Sequence, residues 1–202
     1  MKLNKTFYLT LGLLILLAGT TSAGNFGIGL RGGYYMSPNW ADTYDVVYDN
    51  GGEITYGFEL NYLFTPRFEV GVAVDLISGD GERVWADETG GWVPAGESVT
   101  FDIMPITAFG RFYLMPESTL SPFIGAGVGF ASFEETDEDS ESGMGFLVLG
   151  GLKVEATQHL SFLGEAEYST YPEIIGEGDL SEFFNEDDIG GITIRFALVY
   201  RF

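Results

Sequence analysis

The chain of 202 residues contains no cysteine, a single histidine and few basic residues. Without cysteine it can form no disulfide framework, and it lacks the cysteine that a lipoprotein anchor requires. Nine lysine and arginine residues stand against thirty acidic ones, which gives a formal net charge of −21. Nucleic-acid phosphates need basic partners, so we expect no nucleic acid among the partners of this chain.

Long apolar segments are also missing. The longest, about residues 7–18, falls short of the roughly 20 residues that a membrane helix needs. It follows Lys2 and Lys5, and Thr21 and Ala23 then suit the −3 and −1 positions of a cleavage site. This pattern predicts a secretory signal peptide over residues 1–23 rather than a membrane anchor, and one domain over residues 24–202. Any membrane integration of that domain would have to use strands.

The residue types that commonly carry catalysis are scarce as well. With no cysteine and no serine beside an evident base, neither nucleophilic catalysis nor a transition-metal site is supported. Glu165 and Glu167 form a carboxylate pair that could suggest acid–base chemistry, but nearby arginines offer a structural explanation. We therefore predict no catalytic residues and no enzymatic activity.

What the sequence does contain is alternating apolarity. Eight segments alternate apolar and other residues over the 9 to 11 residues of a membrane β-strand or slightly more, and eight is an even number, as single-chain outer-membrane barrels require. The segments are residues 26–36, 53–64, 68–77, 99–115, 122–133, 145–156, 160–171 and 191–202.

The connections between these segments alternate in length. Long ones (37–52, 78–98, 134–144 and 172–190) take turns with the short "TPR", "PESTLS" and "TQH". This is the pattern of long extracellular loops and short periplasmic turns, and it puts both ends of the domain on the periplasmic side. The fold class predicted is all-β, an eight-stranded antiparallel up-and-down transmembrane barrel.

A secreted lipocalin is also an eight-stranded up-and-down barrel, with its apolar face inside, so the inward face must be identified. In the first segment Gly27, Gly29 and Gly33 share a face with Arg31, opposite an apolar row. Glycine rows suit a crowded small-barrel interior, where missing side chains make room for longer ones. This favours the membrane barrel.

The fourth segment does not fit this alternation throughout. Counting back from an inward Arg111 places Asp102 on the outward face. We expect either a bulge near Pro105 or a position of Asp102 above the bilayer.

The motifs "MPITAFGRFYL" and "SPFIGAGVGFASF" with a final "YRF" make the chain similar to the small eight-stranded outer-membrane β-barrel family, of the outer-membrane protein W type. The resemblance implies a bacterial outer-membrane location and leaves the activity open, because relatives include hydrophobic-solute channels, adhesins and structural barrels. Outer-membrane barrel enzymes typically use a histidine near the outer rim. His159, in "TQH", is at the wrong end for that chemistry.

Charged side chains on the glycine-bearing face are predicted to lie in the lumen. An arginine facing lipid near the bilayer centre would cost roughly 2–4 kcal/mol, whereas inward charges can pair. The structural interpretation is an ion-pair network that fills a narrow barrel; the functional one is a narrow or gated conduit. The predicted network consists of Arg31, Glu59, Glu69, Asp75, Arg111, Lys153, Glu155, Glu165, Glu167, Arg195 and Arg201.

The charge imbalance lies in the four long connections, which hold twenty-one acidic residues and one basic residue, Arg83. Such a rim repels anions and would face the phosphates of lipopolysaccharide, which need Mg²⁺ or Ca²⁺ to bridge them to carboxylates. We interpret the segment "DEDSESG" as a solvated acidic loop; the more specific alternative is that it binds a divalent cation weakly. Apart from a weakly bound Ca²⁺ or Mg²⁺ we expect no cofactor; the candidate ligands are Asp137, Asp139, Glu141, Asp187 and Asp188.

The last segment ends with apolar and aromatic residues at alternate positions, Phe196, Leu198, Tyr200 and Phe202. This resembles the signal that the barrel assembly machinery recognises. We therefore expect a noncatalytic integral barrel with anionic loops in a structural or surface-interaction role; the alternative is a narrow channel for small hydrophobic solutes.

Overall fold

A computed structural model describes residues 25–36, 46–48, 52–86, 92–135, 141–172 and 189–202. No helix within these ranges is long and apolar enough to cross a membrane. The described residues form nine strands: β1 (Phe26–Met36), β2 (Val46–Tyr48), β3 (Glu53–Thr65), β4 (Phe68–Ala86), β5 (Trp92–Tyr113), β6 (Leu120–Glu135), β7 (Glu141–Glu155), β8 (Leu160–Thr170) and β9 (Gly191–Arg201).

Eight of these strands close into one antiparallel barrel. The neighbours run β4-β3-β1-β9-β8-β7-β6-β5, and β5 pairs back onto β4. The three-residue β2 pairs with β4 outside this ring, at Val46↔Arg83 to Tyr48↔Gly81. The predicted eight-stranded up-and-down barrel is therefore confirmed. The short β2 is an addition within the predicted 37–52 connection.

Alternation of side chains between two faces explains why these segments form the barrel wall. Along β9 every second residue is buried and the others are exposed: Phe196 is 71% exposed and Ala197 is 7% exposed. The exposed set around the barrel is apolar, including Leu30, Ile54 and Val128. Such a wall is stable only when lipid replaces water on its outer face.

The barrel has two unlike ends. At one end lie the short turns 66–67, 114–119 and 156–159, and both ends of the described chain, joined where Phe202 N donates to Phe26 O at 2.9 Å. We call this the short-turn end, which is predicted to be periplasmic. The opposite end carries the remaining connections and is called the long-connection end.

Two of the long connections are shorter than the sequence predicted. β4 continues to Ala86 and β5 begins at Trp92, so most of the predicted 78–98 loop is a paired hairpin. Likewise β6 reaches Glu135 and β7 begins at Glu141, inside the predicted 134–144 loop. Apolar alternation does not reveal these extensions, because a strand ladder is held by backbone hydrogen bonds, which need no apolar alternation in the part above the membrane.

Of the two alternatives for the fourth segment, the bulge near Pro105 is wrong, and the position of Asp102 above the bilayer stays a prediction. The β5–β6 register runs without a break from Phe101↔Glu135 to Tyr113↔Phe123. Asp102 therefore stays on the outward face, exposed, and accepts a hydrogen bond from Ser78 Oγ on β4. Asp102 lies nine residues before Arg111 on β5. At about 3.4 Å per residue, Asp102 is roughly 30 Å closer than Arg111 to the long-connection end.

Candidate functional site: the barrel lumen

Inward-facing side chains of all eight barrel strands fill the lumen, and glycines make room for the longest of them. A Cβ added to Gly29 would lie 2.7 Å from Glu59 Cγ, and one added to Gly129 would lie 2.6 Å from the Tyr171 hydroxyl oxygen. Both approaches are too close for any larger residue without a shift of the neighbour. The predicted role of the glycine rows is confirmed at these positions.

Arg111 is the centre of the charged part of the lumen and is 1% exposed. Its Nη1 and Nη2 donate to the two carboxylate oxygens of Glu59, each at 2.9 Å. Its Nε and Nη2 donate to Glu165 Oε2 at 3.0 and 2.9 Å. Glu69 accepts a further bond from Nη1 at 3.1 Å. All five guanidinium donors of Arg111 thus face three carboxylates that come from three different strands.

Toward the long-connection end the network continues through Arg31 and Arg195. Arg195 binds Glu167 with both terminal nitrogens, at 2.7 and 3.0 Å. Arg31 lies between three carboxylates, with Asp75 at 3.3 Å, Glu165 at 3.6 Å and Glu59 at 3.7 Å. Asp75 lies 3.3 Å from Arg31 and 3.4 Å from Arg195. Its shortest distance to an arginine nitrogen is thus longer than that of any other carboxylate of this group. Asp75 is therefore the most weakly held carboxylate of the group.

Toward the short-turn end, Arg201 Nη2 donates to Glu69 Oε2 at 2.6 Å and Tyr113 donates to Glu69 Oε1 at 3.1 Å. Nine of the eleven predicted lumenal charges are thus linked by contacts, and we call them the lumen network: Arg31, Glu59, Glu69, Asp75, Arg111, Glu165, Glu167, Arg195 and Arg201.

Lys153 and Glu155 form a separate pair at 2.8 Å. Lys153 is buried and its ammonium lies 4.5 Å from the centre of the Tyr113 ring. Glu155 shares the inward face of β7 with Lys153, and its side chain is 46% exposed. Glu155 is the last residue of β7, where the wall ends at the short turn.

The sequence interpretation missed the aromatic and aliphatic part of the lumen. Above the lumen network, toward the long-connection end, lies an apolar cluster that packs across the barrel. These side chains share the inward face with the arginines, so the same alternation could have identified them. We call them the outer apolar cluster: Tyr35, Ile77, Val99, Phe101, Ile103, Ala131, Phe133, Tyr171 and Ile189.

A second apolar group surrounds the lumen network nearer the short-turn end. Phe109 and Phe123 lie beside Arg111, whose guanidinium carbon is 4.3 and 5.5 Å from their ring centres. Asn61, also missed from the sequence, donates to Glu59 at 2.8 Å. Apolar rings exclude water from the ion pairs, which strengthens the pairing and raises the cost of leaving any charge without a partner.

Between the lumen network and the outer apolar cluster lies a cavity of about 20 Å³. It has room for about one water molecule. Thr55, Asp75, Glu167 and Arg195 contribute to its lining, and the Thr55 hydroxyl oxygen has no hydrogen-bond partner among the described residues. The cavity is too small for an organic solute.

The remaining predicted positions are placed only in part. Within the described ranges no group of three or more His, Cys, Asp or Glu is arranged to hold a metal ion. Asp137, Asp139, Asp187 and Asp188 lie outside the described residues, as does the predicted signal peptide, and Glu141 is described only as the first residue of β7.

The residues predicted as an assembly signal lie together on the outward face of the last strand. Phe196, Leu198, Tyr200 and Phe202 are 71%, 40%, 49% and 46% exposed. Tyr200 pairs with Ile28 on one side and Leu160 on the other, so β9 closes the barrel. His159 lies in the turn beside this strand, where its Nδ1 is 2.9 Å from Arg201 O.

A closed antiparallel barrel with an apolar outer face and a packed polar and aromatic lumen defines a small outer-membrane barrel protein. The chain belongs to the outer membrane protein beta-barrel domain family, whose family model matches residues 6–202. The family predicted from the motifs of β5, β6 and β9 is thereby confirmed, and with it a location in the bacterial outer membrane.

Solved structures show the same fold at low identity. The chain is similar to Neisserial surface protein A (12% identity, 90% of this chain and 100% of that one, TM-score 0.58). It is also similar to OprG of Pseudomonas aeruginosa (16%, 89% and 97%, TM-score 0.55) and to the N-terminal barrel domain of OprF of the same organism (13%, 90% and 100%, TM-score 0.52). None of the curated proteins matches the chain. At such identities these neighbours establish the fold alone.

Proposed function

We propose that this chain is a noncatalytic outer-membrane barrel with a sealed lumen, which presents anionic connections for structural or surface interactions. The observation that carries the proposal is the filling of the lumen. A network of nine ion-paired side chains and an apolar cluster lie one above the other, and each charged side chain of the network is at most 12% exposed. A barrel filled in this way serves as a wall and a platform.

The anionic connections are the part of the molecule available to other envelope components. Asp80 and Glu134, on the parts of the rim that the structure describes, are exposed and lie where β4 and β6 rise toward the long-connection end. Carboxylates at such a rim attract hard cations, and these can bridge to lipopolysaccharide phosphates. The proposed partners are therefore this lipid and, during insertion, the barrel assembly machinery.

Calorimetric titration of the folded protein with CaCl₂ tests the cation part of this proposal. We expect weak binding in the millimolar range that 0.5 M NaCl removes, because exposed carboxylates are screened by salt. A variant with Asp137, Asp139 and Glu141 changed to Asn, Asn and Gln should lose part of the heat. The absence of any heat at millimolar Ca²⁺ would rule out the cation part and leave the sealed barrel unaffected.

The outer apolar cluster also favours a second candidate, a narrow route for small apolar solutes. Tyr35, Phe101 and Tyr171 would then line the entrance from the long-connection end. Proteoliposomes preloaded with an apolar-solute-sensitive dye distinguish the two functions. If the barrel is sealed, the dye in proteoliposomes should respond to added solute at the same rate as in liposomes without protein. A faster response that depends on the protein and that Phe101→Glu abolishes would support the apolar route instead.

A further inference from the structure

A groove on the described surface lies away from the lumen, at the short-turn end. It separates the β3–β4 turn from the β5–β6 turn and has a volume of about 670 Å³, within the range of ligand-binding clefts. Its lining combines the apolar side chains of Leu114 and Met115 with Arg67 and Glu117. None of these residues takes part in the lumen network.

Hydrogen bonds fix the two turns that form the groove. The Thr65 hydroxyl oxygen accepts bonds from Arg67 N at 3.3 Å and Phe68 N at 3.1 Å. Tyr113 N donates to Arg67 O at 2.8 Å, which ties the first turn to β5, and Ser118 N donates to Met115 O at 3.2 Å within the second turn. The groove is thus a built feature of the barrel end, with its walls held before any ligand arrives.

Two opposite charges share this groove. The side chains of Arg67 and Glu117 are exposed, and within the described residues neither has an ion-pair partner. The other described basic side chains, Arg31, Arg111, Lys153, Arg195 and Arg201, are all engaged in the lumen. Among the described arginine and lysine side chains, Arg67 is therefore the one without an ion-pair partner at this end of the barrel.

The surroundings of the groove are apolar and face lipid. Phe64, Phe68, Leu114 and Met115 are 61%, 42%, 48% and 59% exposed on the outward side next to it. The rings of Phe64 and Phe68 lie 6.3 Å apart. A ligand that satisfies both charges of this groove therefore carries a negative and a positive group and, beside them, an apolar tail.

We propose that this groove binds the headgroup of a zwitterionic aminophospholipid from the adjacent leaflet. The Arg67 guanidinium binds the lipid phosphate, for which its planar donors are well suited. Glu117 accepts hydrogen bonds from the lipid ammonium, and the acyl chains lie against Phe64, Phe68, Leu114 and Met115. The proposal concerns the outer surface and holds whether or not the lumen conducts.

The chemistry of the headgroups predicts which phospholipid the groove prefers. Phosphatidylglycerol carries the phosphate without an ammonium, so Glu117 would repel it. Phosphatidylcholine carries a quaternary nitrogen that cannot donate a hydrogen bond to Glu117. Phosphatidylethanolamine satisfies both charges and should be preferred, by up to about fivefold, because an exposed ion pair contributes as much as about 1 kcal/mol.

Native mass spectrometry of the delipidated, refolded barrel tests the proposal with equimolar phosphatidylethanolamine, phosphatidylglycerol and phosphatidylcholine. The wild type should retain one phosphatidylethanolamine preferentially. Glu117→Gln should lower the ratio of bound phosphatidylethanolamine to phosphatidylglycerol about fivefold, and Arg67→Gln should lower retention of all three lipids. Glu155→Gln, which removes the same charge at the β7–β8 turn, is the matched control and should leave the ratio unchanged.

Equal retention of the three lipids by the wild type would overturn the proposal, because it would indicate nonspecific contact with the wall. A Glu117→Gln ratio equal to that of the wild type, or displacement of the lipid by inorganic phosphate alone, would overturn it as well. Because Glu117 lies in an exposed turn, Glu117→Gln should fold like the wild type. The test therefore remains valid even if Arg67→Gln refolds poorly. Heat-modifiable gel mobility verifies that each variant is folded.

Discussion

Arg111 shows how a buried ion-pair network stabilises the barrel at the scale of single residues. Its guanidinium makes hydrogen bonds to Glu59, Glu69 and Glu165 and is enclosed by the rings of Phe109 and Phe123. Removing one member of a buried pair is far more costly than the pair's net contribution, because the remaining charges stay buried without a partner. The loss of stability on removing one charge therefore depends on which buried partners that charge leaves unpaired.

The network contains four arginines and five carboxylates, and this imbalance leads to a prediction about Asp75. Arg111→Gln should lower the free energy of unfolding by about 3–5 kcal/mol, because Glu59 and Glu165 lose their shortest ion pair and Glu69 loses one of its two. Asp75→Asn should lower it by clearly less than Arg111→Gln does, because Asp75 has the longest contacts and its replacement leaves four arginines facing four carboxylates. Urea unfolding in lipid vesicles measures both.

Equal losses in the two variants would contradict this ranking of the contacts. Glu117→Gln provides the control, because Glu117 lies exposed in a turn outside the network, and it should change the free energy of unfolding by less than about 0.5 kcal/mol.

The inward arginines could be predicted from the sequence, but their partners could not. Arg31, Arg111 and Arg195 lie on the faces that alternation assigned to them. Which carboxylate each one contacts depends on the stagger between strands that are far apart in the chain, such as Arg195 and Asp75, 120 residues apart. A one-residue slip would move every side chain to the other face, and no single segment records that register.

At the scale of whole strands, the membrane-crossing parts were predictable and their extensions were not. Within the wall, lipid on one side and a packed lumen on the other impose strict alternation on β1, β8 and β9, whose predicted bounds differ from the observed ones by at most one residue. Beyond the wall, β4 and β5 continue over residues 78–86 and 92–98, which hold glycines and acidic residues. Their pairing depends on the β4–β5 backbone ladder, so glycine and acidic residues are tolerated there.

The last strand carries a prediction of its own. β9 joins β8 to β1, and Phe202 N donates to Phe26 O at the point of closure. Deleting Phe202 removes the terminal aromatic residue of the predicted assembly signal and the last rung of the ladder. Quantitative blotting of outer-membrane fractions should then show several-fold less assembled protein than for the wild type.

Phe162→Ala on the outward face of β8 is the matched control for that deletion, because Phe162 is 50% exposed to the same surroundings but lies away from the chain end. A yield of the Phe202 deletion equal to that of the wild type would count against the assembly signal.

At the scale of the whole molecule, charge is divided between two regions. The lumen holds nearly balanced, buried charges, whereas the four connections predicted to be long carry a net charge of −20, out of −21 for the whole chain. The wall between them is apolar outward. This division suits a protein whose interior provides stability and whose rim provides interaction. For the barrel to conduct, the side chains of both the lumen network and the outer apolar cluster would have to move apart at the same time.

Single-channel conductance of the purified, folded barrel in a planar lipid bilayer tests the sealed lumen most directly. The filled lumen predicts no steady, resolved openings in 1 M KCl at moderate voltage, because ion passage would require breaking buried pairs that each cost several kcal/mol to disrupt. Steady, well-resolved openings that Arg111→Gln alters in size would contradict the sealed barrel and establish the lumen as a pore.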